Sequence, residues 1–155
     1  MVGHSSYESS AELRVAKCQL HGVLVHVFGS GVLLTGDSGV GKTACAIELL
    51  RRGHSLVADD AVQIFPSGGG LFGRAPEITR SLVDIRGVGI TNIADLFDHT
   101  AFREDCRIDL CIEIHRANVP TMTDRMDGVP LFRIDANRPE ITADQVETIV
   151  KDHVH

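Results

Sequence analysis

A chain of 155 residues is long enough to bury one proper core, and none of it is low-complexity. Its net charge of −6, with no basic cluster, weighs against nucleic acid, and no apolar stretch approaches the ~18 residues of a membrane span. Cys18, Cys45, Cys106 and Cys111 form no C-x-x-C pair and the histidines no H-E-x-x-H, which weighs against a zinc site and for free, mostly buried thiols in a cytoplasmic protein.

In chain order, residues 1–11 read as a flexible lead-in to a single domain spanning 1–155. Alternation predicts a strand over Val15–Gln19. Val23, Val25 and Val27 alternate with Leu24, His26 and Phe28, so the next strand is apolar on both faces and His26 is structural. Gly29-Ser30 is the expected turn of a hairpin, returning through Val32-Leu33-Leu34. That strand runs into Gly36-Asp37-Ser38-Gly39-Val40-Gly41-Lys42-Thr43, which fits G-x-x-x-x-G-K-[ST] throughout. A helix over Ala44–Leu50 follows, with Gly53 as its stop. Strand, loop and helix together aim backbone N–H groups and a positive helix end at one point, and polyphosphate is the natural occupant. Lys42 can reach β/γ-phosphates, and Thr43 offers a hydroxyl to Mg²⁺.

Ser55–Ala58 is a short apolar strand delivering Asp59-Asp60, which can hold a metal or take a reactive proton. Ala61–Phe65 is another strand. The glycines after Pro66 read as a hairpin tip, with a second phosphate loop as the weaker reading, and a short helix starts at Pro76. Val83–Ile90 is read as one strand with Asp84 and Arg86 on one face. They are either an internal salt bridge or a metal ligand beside a phosphate clamp. A helix over Asn92–Phe97 and a half-exposed strand over Ile108–Ile114 come next. Residues 115–130 have the composition of a substrate lid. Leu131–Ile134 is the last strand, and Thr142 with Gln145 form a capping box ahead of a final amphipathic helix.

Taken together, these motifs closely resemble the catalytic domain of HPr kinase/phosphorylase, whose members phosphorylate a serine of the phosphocarrier HPr and can reverse the reaction. The resemblance runs from His21-Gly22-Val23-Leu24-Val25 through the loop, Arg52-Gly53-His54 and Leu56–Asp60 to Asp84-Ile85-Arg86-Gly87-Val88-Gly89-Ile90, then fades after about Arg103. It implies an α/β fold: a P-loop kinase domain of the HPr kinase and phosphoenolpyruvate carboxykinase type, with mixed sheets and flanking helices, in a shortened form without a separate N-terminal domain. ATP and Mg²⁺ are the implied cofactors, a homo-oligomer the implied assembly.

By the same resemblance His21 is the active-site histidine and Lys42 the loop lysine. Asp60 is the proton acceptor, with Asp59 next to it as second candidate. Thr43 and Asp84 are Mg²⁺ ligands, Arg86 belongs to the signature, and Arg125, in the pair Asp124-Arg125, is the catalytic arginine. Thr43 replaces a usual serine and Asp84 a usual glutamate, and both keep their oxygen chemistry. The arginine- and glycine-rich loop associated with reversal has no counterpart. Arg133-Ile134-Asp135-Ala136-Asn137-Arg138-Pro139 occupies that region. The expected activity is transfer to a serine of an HPr-like protein, with little reverse reaction. A small-molecule kinase and an ATP-binding regulatory module are the rival readings.

Overall fold

The computed structural model describes residues 18–117, 126 and 128–154. Among these residues eleven strands form three sheets. The central, five-stranded sheet has the order β11 (Leu131–Asp135), β10 (Leu110–His115), β3 (Ser30–Thr35), β2 (Val23–Val27), β4 (Ser55–Ala58). A four-stranded sheet of β1 (Gln19–His21), β5 (Ala61–Ser67), β6 (Gly70–Arg74) and β9 (Asp105–Arg107) covers one face. Helices α1 (Lys42–Arg51) and α3 (Pro139–Val154) cover the other. The third sheet is the hairpin of β7 (Leu82–Ile85) and β8 (Gly89–Asn92), followed by the single turn of α2 (Ile93–Leu96). Among the described residues no helix is long and apolar enough to cross a membrane.

This layering accounts for the sequence of β2. Val23, Val25 and Val27 pack toward the helices, while Leu24 joins Leu33, Val62 and Ile108 between the sheets. An apolar run on both faces is what a strand covered on both sides requires. The expected hairpin forms, but Val27 pairs with Ser30, so the two-residue turn is Phe28-Gly29 rather than Gly29-Ser30. Both turn residues have positive φ (49° and 81°), as a type I′ connection demands. Helix α1 ends in a Schellman arrangement: the Gly53 N–H donates to the Leu50 carbonyl and the His54 N–H to that of Leu49.

Strand direction then gathers one edge of the central sheet. β3 is parallel to β10, β10 to β11, and β2 is antiparallel to both β3 and β4. The carboxyl ends of β3, β4, β10 and β11 therefore share one edge with the start of β2. Ligands of open α/β sheets bind at such an edge.

Several expectations need correction. Strand β10 is not half-exposed: lying between β3 and β11 and covered on both faces, it is buried from Leu110 to Ile114. Asp84 and Arg86 do not share a strand face. The Val88 N–H donates to the Ile85 carbonyl and Ile85 pairs with Gly89, so Arg86 lies in the hairpin turn. Thr142 does not cap α3. Pro139, with its preset φ, starts the helix earlier, and the Thr142 hydroxyl donates to the carbonyls of Arg138 and Pro139 inside the first turn.

Of the predicted strand over Val15–Gln19, residues 15–17 lie outside the described residues, and β1 begins at Gln19. Most of the 115–130 region and the 1–11 lead-in are also outside them. The triple glycine is a hairpin tip, with Ser67 paired to Gly70. Cys45, Cys106 and Cys111 are buried free thiols, and burial pushes them up to about 11, 12 and 11, far from reactive thiolates.

Candidate active site

The chain leaves β3 at Thr35 and wraps into the phosphate loop, whose first residue allows no side chain. A Cβ on Gly36 would stand 2.2 Å from the Ile114 carbonyl oxygen. Gly36, Gly39 and Gly41 all have positive φ, and Gly41 leads directly into α1. The Lys42 ammonium folds back across the loop, donating to the carbonyls of Gly36 (2.6 Å) and Asp37 (2.9 Å). It is buried, and that burial lowers its pKa against the pull of Asp37, Asp60 and Asp59.

The end of β4 supplies two carboxylates with separate environments. Asp59 is buried; its Oδ1 accepts from the Thr43 hydroxyl at 2.8 Å and its Oδ2 from the Asp84 N–H at 3.2 Å. Burial raises its pKa more than these two bonds lower it. Asp60 is exposed, and its Oδ1 lies 3.0 Å from His21 Nδ1. The two neighbours face apart because Asp60 has φ +73° and the Ala61 N–H donates to the Asp59 carbonyl, a three-residue γ-turn. One carboxylate is thus tied to the loop threonine and the other stands in the open cleft.

A cleft of about 550 Å³ unites these groups. His21, Ser38, Gly39, Gly41, Lys42, Thr43, Asp59, Asp60, Asp84 and Arg86 all line it. The other loop residues, Gly36, Asp37 and Val40, complete the turn behind them. No ion pair joins Asp84 to Arg86 among the described residues, and both side chains are exposed to the cleft. Arg125 lies outside the described residues. Sequence reasoning missed Ile47, Arg51 and Pro139 as further lining. Ile47 and Arg51 follow from Ala44 at helical spacing, a signal available in principle. Nothing local could announce Pro139.

The donor chemistry suits a hard divalent cation. Thr43 turns its proton toward Asp59, leaving its oxygen lone pairs for a metal, and Asp84 adds a carboxylate in the same cleft. Mg²⁺ characteristically takes one or two such oxygens together with phosphates and water.

The family model described as "HPr Serine kinase C-terminal domain" matches residues 13–144. The HPr kinase/phosphorylase of Lactiplantibacillus plantarum is 43% identical over 126 residues, covering 79% of this chain and 40% of that protein. That of Caldicellulosiruptor bescii is 54% identical over 95 residues, covering 61% of this chain and 30% of its relative. The chain thus spans about two fifths or less of these relatives' length. Among solved structures, the Hpr(Ser) kinase/phosphatase from Coxiella burnetii matches with a TM-score of 0.77 and 25% identity, over 87% of this chain and 89% of that one.

Proposed function

The chain belongs to the HPr serine kinase C-terminal domain family, and we propose that it transfers the γ-phosphoryl group of ATP to a serine hydroxyl of an HPr-like phosphocarrier protein, with Mg²⁺, in the cytoplasm. The observation that carries this reading is the contrast between Asp59, bonded to the Thr43 hydroxyl, and Asp60, exposed beside His21, next to an intact phosphate loop. A phosphotransferase to a hydroxyl needs a carboxylate on the metal side and another free to take a proton.

In this mechanism the loop amides and Lys42 hold the β- and γ-phosphates. Thr43 and Asp84 hold Mg²⁺, which neutralises charge on the phosphates when bound. Asp59 orients Thr43 through the 2.8 Å hydrogen bond. Asp60 accepts the serine proton at a carboxylate oxygen as the hydroxyl attacks. His21, against Asp60 at 3.0 Å, holds that carboxylate toward the cleft. Arg86 and Arg125 bear on the transferring group. A serine hydroxyl is a weak nucleophile near neutral pH, so alignment and preorganised charge supply most of the rate.

Members of the family are commonly oligomeric, and a homo-oligomer is the proposed assembly. Incubation of the purified chain with γ-labelled ATP, Mg²⁺ and an HPr-type phosphocarrier tests the reading. Label on a serine of the carrier is expected. Label on a small molecule from a lysate, or none at all, would favour the rival readings.

A further inference from the structure

We propose that Arg116, at the carboxyl end of β10, is an additional phosphate-binding cation, reaching over Gly39 of the phosphate loop to the transferring γ-phosphoryl group; the assignment rests on the phosphotransferase reading above.

Register is the first argument. Strand β10 runs parallel to β3 with Glu113 opposite Thr35, so the residues following β10 emerge beside the loop that follows β3. Arg116 is exposed there, and one of its Nη atoms lies 3.6 Å from the position a Cβ on Gly39 would take. The guanidinium therefore borders the backbone that presents its amides to phosphate.

Its lack of a partner is the second. Among the described residues Arg116 has no carboxylate within ion-pair distance; Arg51, Arg52, Arg80, Arg107 and Arg133 each have one, while Arg74, Arg86, Arg103 and Arg138, like Arg116, do not. Arg116 also sits close enough to Lys42 to help depress its pKa. Two like charges in one neighbourhood repel, and an anion bound between them relieves that repulsion.

Charge in the cleft supplies the third. Its lining brings Asp59, Asp60 and Asp84 against Lys42, Arg51 and Arg86, so an incoming triphosphate meets no net positive lining. Arg116 stands outside that lining, on the loop's other flank against Gly39, and a guanidinium reaching over from there corrects the deficit. Its planar fork suits two phosphate oxygens at once, and it stays protonated throughout, so no proton moves at this residue. An arginine brought to the transferring group in this way is worth ~10³–10⁵-fold in rate in related phosphotransfer sites.

The test compares binding of MgADP alone with MgADP plus fluoroaluminate, which mimics the transferring phosphoryl group, to the full chain by calorimetry. The chain as it stands should bind the fluoroaluminate complex more tightly. Arg116→Ala should keep MgADP affinity within about threefold, keep its unfolding midpoint, and lose at least about tenfold of the added tightening. Arg116→Lys, which retains charge without the fork, should recover part of it. Full tightening in Arg116→Ala, or equal loss of both complexes, overturns the assignment. Should the unaltered chain bind neither complex, the phosphotransferase reading itself falls, and this assignment with it.

Discussion

His21 Nδ1 stands 3.0 Å from Asp60 Oδ1, while the N–H of the next residue, Gly22, donates to the Asp60 carbonyl at 3.1 Å. Two consecutive residues ahead of β2 thus grip the backbone and side chain of one aspartate. The grip has a physical purpose. Asp60 holds φ +73°, a conformation that costs a non-glycine residue about 1–3 kcal/mol and persists only where the surroundings enforce it. What the strained turn achieves is a carboxylate aimed into the cleft next to one that is buried.

Asp60→Asn should therefore leave nucleotide binding nearly intact while abolishing transfer, because an amide keeps the shape but takes no proton. A loss of ~10²–10⁴-fold in turnover is expected. Asp59→Asn should behave differently. Its amide would point an N–H at the N–H of Asp84 or the hydroxyl of Thr43, so the magnesium requirement should rise. Steady-state rates and magnesium titrations on both variants decide this. If Asp59→Asn spares magnesium dependence and alone abolishes transfer, the roles are reversed.

Lys42→Ala should remove most affinity for MgATP. The ammonium already bridges the Gly36 and Asp37 carbonyls, poised at the mouth of the loop, and a charge-assisted contact to phosphate is among the stronger hydrogen bonds. Calorimetric titration gives the answer. Unchanged affinity would make this loop a structural turn only.

Much of this was legible beforehand because the decisive signals are local. The loop spacing, the valines of β2 and the Asp59-Asp60 pair each report a conformation fixed by near neighbours. The failures have a common cause in long-range contact. Strand β10 alternates like a half-exposed strand, yet β3 and β11 bury it, with Glu113 answered by Arg133 at 3.2 Å. The three residues of β9 are too short to show a period, and only pairing with β6 makes them a strand. That Arg86 turns a hairpin rather than facing with Asp84 depends on Ile85 finding Gly89. Pro139 reaches the cleft because α3 docks on α1, which no local pattern records.

That docking has its own measurable chemistry. Arg52, near the end of α1, donates to Glu48, Asp144 and Glu147, and His54 lies 2.7 Å from Glu147. Burial pushes the Glu147 carboxyl up, but the bonds with His54 and Arg52 prevail and hold it below its ordinary 4.5. A carboxylate with a depressed folded pKa stabilises the fold above its unfolded value, and that contribution is lost as pH falls through the folded one. Glu147→Gln should thus be destabilising at pH 7, on the order of 1 kcal/mol after solvent screening is discounted. The gap to the unaltered chain should shrink as pH drops below about 4.5. Denaturant titrations across that range measure it; a gap constant with pH would assign the loss to packing instead.

The last expectation concerns direction: forward transfer should dominate, with a feeble reverse reaction. Reversal needs inorganic phosphate held beside a phosphoserine, and Asp60 must then return its proton to the leaving serine oxygen. With Asp60 in the proposed role, the proton chemistry serves either direction. What is wanting is a second clamp for the attacking phosphate. Arg133 and Arg138 are the arginines in the region where such a clamp belongs by resemblance. Arg133 lies on the outer strand β11, committed to the buried Glu113 at 3.2 Å, and pulling it away would break that ion pair. Arg138 is exposed just ahead of α3, and neither arginine lines the cleft among the described residues. Arg116, on the opposite neighbour of β3 from the aspartates, would serve the nucleotide rather than a free phosphate. The measurement is pyrophosphate release from a purified phosphoserine carrier in millimolar inorganic phosphate, set beside the forward rate on the same carrier. Comparable rates would mean that Arg86, Arg125 and the magnesium ligands hold the attacking phosphate unaided, and the argument from the missing clamp would fail.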